Sequence, residues 1–313
     1  MGVWALVAQQ LTNITIDTVI LWFTVRWRPI IAFSFIRVKS LFSFGWKILF
    51  ADLLNELFNN LRTIIIGKVY SANDLAYFTK GKEYPNTIVS SINGSFNSVF
   101  FSAISKVQDN PNEVRLIMKR SLKTCSFVLC PMMLGLAAIS ESFVSFFLTE
   151  KWISCVPYLQ IFCIEYFISP LLSINLQAVK ALGRSDITIR QELIKKILGT
   201  LILVISMFFG VFWIAIGSLI SQLVYFAVNA YPNRQLVNYG PLQQVSDVLQ
   251  NLASSIVMAI IVLLLGKIEM NKGLILLIQV IVGFVIYISI SYLTKNESMR
   301  YIKYFVLERI KPK

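Results

Sequence analysis

Six polar side chains share one side of an otherwise apolar run. Asp52, Asn55, Glu56, Asn59, Asn60 and Arg62 lie within residues 41–67, and at about 100° per residue they fall in an arc of about 160°. Leu53, Leu54, Leu57 and Phe58 take the opposite side. A charge at the centre of a bilayer costs about 2.5–3.5 kcal/mol even on the permissive insertion scale. Two acids and an arginine on one apolar helix therefore either line a polar cavity or pair with one another, with Arg62 holding a carboxylate.

Two further sets of residues raise the same question. Residues 85–107 carry Asn86, Ser90, Ser91, Asn93, Gly94, Ser95, Asn97 and Ser98, a composition that suits close helix packing or a hydrated wall. Asn93 and Asn97 are the cavity candidates among them. Glu165 is a solitary acid in a third apolar run. It is either a proton- or cation-coupling site or the partner of a basic residue elsewhere, and Asp17 poses the same choice.

Other chemistry is excluded by composition. The chain has no histidine, which removes His-ligated metal sites, His general bases and Ser-His-Asp triads. Cys125, Cys130, Cys155 and Cys163 form no CxxC pair, and three of them sit in apolar runs where cysteine behaves as a small hydrophobe. A disulfide among them is allowed but unsupported. There is no Gly-rich phosphate loop followed by Lys and Ser/Thr. The residues thus call for no catalytic group, no metal and no cofactor.

The elements that must position these side chains are membrane helices. Of 313 residues, 56% are hydrophobic and 14% charged, too little polar material to cover a soluble globule. Nine segments approach the roughly 20 residues needed to cross a bilayer: 3–25, 41–67, 85–107, 122–148, 158–182, 191–210, 212–231, 248–267 and 273–294. The fold class expected is all-α, a polytopic transmembrane bundle of about nine spans. Pro85, Pro157 and Pro232 are expected at span edges, and Ser185 or Asp186 is expected to cap the helix after the Gly183–Asp186 turn.

Charge supplies an independent check on that count. The net charge is +13, and 21 of the 29 Lys+Arg fall in or beside one alternate set of loops, against six in the other. This is the positive-inside pattern, and it puts the C-terminus in the cytoplasm. Short basic blocks between apolar runs are not the clustered soluble face that binds nucleic acid, so no nucleic-acid partner is expected.

Several stretches resemble bacterial polysaccharide exporters of the Wzx-like flippase type. They are Gly2–Leu11, Phe44–Lys47, Ile66–Ser71, Asp74–Lys82, Leu148–Trp152, Ala181–Asp186 and Asn229–Asn233. The resemblance implies the multidrug/oligosaccharidyl-lipid/polysaccharide exporter superfamily, with two lobes of six helices and often two extra C-terminal helices. It implies that residues 1–40 hold the last helix of a first lobe and a cytoplasmic linker. Residues 41–231 would form the second lobe, and 232–313 two extra helices and a basic tail. About five helices of the first lobe would then lie outside this sequence.

The activity implied is turnover of an undecaprenyl-diphosphate-linked oligosaccharide across the bacterial cytoplasmic membrane, for surface polysaccharide or lipopolysaccharide. Its partners would be that substrate, membrane lipids, and a glycan polymerase or the remaining helices. Arg62 would meet the diphosphate through its forked donors; Asp52, Glu56 and the nearby Asn residues would meet sugar hydroxyls. Three other readings stay open. A cation-coupled drug exporter of the same superfamily would use Asp52, Glu56 and Glu165. A glycan-joining membrane enzyme would need an outer base that residues 68–84 hardly offer. The last is a fragment that inserts without transporting.

Overall fold

The structure, a computed structural model, describes residues 2–25, 34–268 and 270–300. Among these there is no β-strand, and the chain divides into two units, Met1–Leu57 and Phe58–Lys313. The ten α-helices are α1 (Gly2–Thr24), α2 (Phe35–Val69), α3 (Ala72–Ser105), α4 (Pro111–Ala138), α5 (Ser140–Phe147), α6 (Val156–Ala181), α7 (Ser185–Ser206), α8 (Val211–Leu236), α9 (Pro241–Leu265) and α10 (Lys272–Leu293). A 3-10 turn, Glu150–Cys155, leads into α6.

All ten of these helices fall on the nine apolar segments, and segment 122–148, expected as one span, is divided between α4 and the eight-residue α5. Among the described residues, five segments are long and apolar enough to cross a membrane by length and composition: Pro111–Ala138, Glu150–Ala181, Val211–Leu236, Pro241–Leu265 and Lys272–Leu293. The protein is a multi-pass membrane protein.

In the first unit, α1 solves the problem of polar groups on an apolar helix locally. The hydroxyls of Thr12, Thr15, Thr18 and Thr24 each donate to the carbonyl four residues back, at 2.7–2.8 Å. No hydroxyl donor there needs an outside partner. Trp4, Leu11 and Phe23 are exposed around the helix, as in a helix whose solvent is hydrocarbon.

The second unit is built on α4 and α6. Met118, Leu122, Leu129 and Met133 of α4 and Leu159, Cys163, Ile174 and Ala178 of α6 are fully buried, joined by Ile104 of α3, Ala230 of α8 and Val248 of α9. A second cluster joins Ile66, Phe78, Phe162, Leu203 and Ile214, with the Phe78 and Phe162 rings edge to face at 5.0 Å. Here α3 and α6 approach at Gly81. A Cβ there would stand 2.7 Å from Tyr158 Cβ and 2.8 Å from the Leu159 backbone nitrogen, so only glycine lets the two backbones meet. All four cysteines are buried and free.

The hairpin α9–α10 is fastened to α4 by polar side chains. Asn251 donates to Lys123 O at 3.0 Å and Ser126 Oγ at 2.7 Å, and the Tyr287 hydroxyl donates to Phe127 O at 2.8 Å. Asn296 Nδ2 donates to Asn251 Oδ1 at 2.7 Å. Inside a bilayer such bonds hold helices together where apolar contact alone gives little driving force.

Three local expectations are corrected. The helices run past the apolar segments. Thus α3 starts at Ala72 with a capping box, in which Ser71 Oγ accepts from Asp74 N at 3.1 Å and the Asp74 carboxylate accepts from Ser71 N at 3.3 Å. Likewise α4 starts at Pro111, where Asn110 Oδ1 accepts from Asn112 N at 3.2 Å. Because of these extensions Pro85 and Pro232 lie inside α3 and α8, while Pro157 stays in the first turn of α6. Finally, α7 has no side-chain cap: Arg184 stands at the cap position and holds the Asp186 carboxylate with two donors at 3.0 Å each. Ser185 and Asp186 are the first two residues of the helix itself, so neither occupies the cap position.

Candidate functional site

Arg62 and Glu165, far apart in sequence, come into one polar cluster inside the second unit. Arg62 sits on the last part of α2, partly buried, and its Nη2 donates to Ser221 Oγ on α8 at 3.1 Å. The Ser221 hydroxyl in turn donates to Gly217 O at 2.7 Å. Three residues earlier on the same face of α8, Ser218 Oγ meets Glu165 Oε2 of α6 and Ala215 O. The two serines are 4% and 1% exposed. They fix the guanidinium and the carboxylate from one rigid helix.

Two more residues complete the cluster. Lys82 of α3 is partly buried, with its ammonium within electrostatic range of both Arg62 and Glu165. Tyr225, one turn beyond Ser221, has its hydroxyl beside Arg62 and against Gly199 of α7. The absence of a side chain at Gly199 is what admits that hydroxyl. Five helices, α2, α3, α6, α7 and α8, thus contribute to one site.

The balance of charge in this cluster decides what it can do. Two cations face one carboxylate, and among the described residues no direct ion pair joins them. Arg62 Nε is buried with no hydrogen-bond partner among the described residues. An arginine with a spare donor beside a lysine, in a low-dielectric setting, favours an anion with oxygens in a forked arrangement. Glu165 faces both positive charges and has its oxygen held by Ser218, so basic and hydroxyl partners surround it.

Other expected residues distribute differently. Asp52 and Asn55 have side chains outside the described residues. Glu56 belongs to the first unit and is exposed; Asn59 is exposed and Asn60 partly buried in the second. Asn93 and Asn97, one turn apart on α3, are partly buried, and each has its Oδ1 buried without a hydrogen-bond partner among the described residues. Among the described residues no group of three His, Cys, Asp or Glu could hold a metal.

Sequence reasoning missed Lys82, Ser218, Ser221 and Tyr225. Lys82 precedes the apolar stretch that starts at residue 85, so apolar composition does not place it on a membrane helix. The i, i+3, i+7 spacing of Ser218, Ser221 and Tyr225 was the signal available on α8.

Known proteins share this architecture. The fold is similar to that of a lipid II flippase MurJ solved in an inward closed conformation, with a TM-score of 0.67, 17% identity, and 87% of this chain and 57% of that chain covered. Among curated relatives, the teichuronic acid biosynthesis protein TuaB of Bacillus subtilis (strain 168) is 28% identical over 162 residues, 52% of this chain and 34% of TuaB. The lipopolysaccharide biosynthesis protein WzxC of Escherichia coli (strain K12) is 25% identical over 199 residues, 63% of this chain and 40% of WzxC. The matches therefore span well under half the length of those two relatives. Residues 1–157 match the family described as polysaccharide biosynthesis protein, and with half of its length matched the chain belongs to that family.

Proposed function

We propose that the chain works in the flipping of an undecaprenyl-diphosphate-linked oligosaccharide across the bacterial cytoplasmic membrane, for surface polysaccharide assembly. Its role is transport, with no bond made or broken in the substrate. The observation that carries this reading is the net-cationic cluster of Arg62, Lys82 and Glu165, held by Ser218, Ser221 and Tyr225 within a helical membrane lobe. A diphosphate has the charge, and the oxygens to accept from the spare donor of Arg62. The unpartnered oxygens of Asn93 and Asn97 supply acceptors for sugar hydroxyls.

In this proposal the lobe from residue 41 to 231 forms one wall of the path, and α9–α10 are the additional helices. All nine long helices cross the membrane, with the C-terminus and the more basic loops in the cytoplasm. Alternating access then moves this lobe against a facing one around the substrate. Glu165 offsets one of the two cations and leaves a net positive charge that the diphosphate meets as it arrives and frees as it leaves.

The test is replacement of Arg62 in the full gene, expressed in a strain lacking its own flippase. Arg62→Ala is expected to lower surface glycan at least about tenfold, the cost of one lost charge-assisted contact, with membrane insertion unchanged. Arg62→Lys, which keeps charge but not the fork, is expected to fall between. Wild-type export by Arg62→Ala would remove the cluster from the path.

A further inference from the structure

A second site lies at the polar ends of α7 and α8, away from the Arg62 cluster. It starts with Pro232 inside α8. Proline has no N–H, so the carbonyl of Val228, one turn earlier, loses its helical donor. Gln191 of α7 replaces it: Nε2 donates to Val228 O at 3.2 Å and to Asn229 O at 3.3 Å. That duty fixes which way the amide points. Its other end, Oε1, is buried and has no hydrogen-bond partner among the described residues, in a side chain only 3% exposed. A buried amide oxygen left in this way calls for an outside donor.

Gln191 lines an open cleft of about 540 Å³ between α7 and α8, together with Arg190, Tyr231 and Pro232. The mouth holds Arg184, Asp186 and Arg190. Arg184 is already paired with Asp186, so the three leave one uncompensated positive charge, at Arg190. The other end of the cleft is apolar, lined by Ile194 and Ala227, and Ile197 continues the same helix side, 66% exposed. One cleft thus offers a cation, a buried acceptor beside it, and an apolar track leading away along the helices.

The geometry points to this cleft as a binding site for an anionic glycerophospholipid with a hydroxylated headgroup, of the phosphatidylglycerol class. The phosphodiester sits on Arg190 and brings the cleft to neutrality, a headgroup hydroxyl donates to Gln191 Oε1, and an acyl chain follows Ile194 and Ala227. A zwitterionic lipid would leave the Arg190 charge unbalanced. A phosphate without a headgroup hydroxyl would leave the Gln191 oxygen unsatisfied.

Native mass spectrometry on the full chain in detergent tests this, by titrating phosphatidylglycerol, phosphatidylethanolamine and phosphatidic acid of matched acyl chains. Phosphatidylglycerol is expected to bind about tenfold tighter than phosphatidylethanolamine, the value of one charge-assisted contact. Arg190→Gln should erase that preference, and Ala227→Trp, which fills the cleft, should cut retention of phosphatidylglycerol with thermal unfolding unchanged. Lys106→Gln, an exposed cation elsewhere, should leave it intact. Equal binding of phosphatidylglycerol and phosphatidylethanolamine would overturn the assignment, as would an effect of Lys106→Gln as large as that of Arg190→Gln. Binding of phosphatidic acid as tight as phosphatidylglycerol would overturn it too, because Gln191 would then have no part.

Discussion

Charged residues in apolar runs are the most legible feature of this chain, because each costs too much to be accidental. Arg62 and Glu165 were visible on that ground. Their meeting was not: α2 and α6 are brought together by two serines on α8, and serine is too common in membrane helices to mark a site. The same scale holds a stability prediction. Gly81→Ala puts a Cβ against the backbone of Leu159 and the Cβ of Tyr158, at 2.8 and 2.7 Å, where no flexible side chain can swing away. The expected cost is about 1–3 kcal/mol, as for other overpacked contacts, read as a lower midpoint of thermal unfolding in detergent. Gly94→Ala, with nothing within 4 Å, serves as the control and is expected to be silent. A Gly81→Ala protein as stable as the wild type would contradict the close α3–α6 approach.

Among the described residues, apolar composition located the long helices but not their ends, and five of them have the length and composition of a membrane span. Hydropathy reports where hydrocarbon surrounds a helix, whereas a helix continues wherever its backbone can bond. The starts of α3 and α4 carried their own marks, Ser71 with Asp74 and Asn110 before Pro111, which are capping signatures. Apolar composition does not register them, because polar residues follow each start, and Lys82 is among these. The cap of α7 failed for a different reason: the helix already begins at Ser185, which leaves Arg184 at the cap position. Sidedness of the elements is testable because all four native cysteines are buried. With Asp109→Cys and Met270→Cys, a membrane-impermeant thiol reagent added to intact cells is expected to label only position 270. Labelling of both positions, or of position 109 alone, would overturn the proposed topology.

For the whole molecule, the bundle class and the absence of His-based chemistry were readable from composition, since both follow from residue counts rather than contacts. The charge balance of the site was not, because it depends on which three of many charged residues meet. The proposed function rests on that balance: in the proposal, the net positive, serine-held cluster meets the diphosphate of a lipid-linked glycan as it passes between leaflets. The most direct measurement is the outer-face exposure of undecaprenyl-linked oligosaccharide in spheroplasts of a flippase-deficient strain carrying the full gene. Exposure is read with an impermeant glycan-specific lectin, and a polymerase deletion prevents downstream consumption. The account predicts lectin-accessible lipid-linked glycan with the wild-type gene and a loss of about tenfold or more with Arg62→Ala at equal protein level. Glycan that stays on the cytoplasmic face with the wild-type gene, or reaches the outer face equally well with Arg62→Ala, would contradict it.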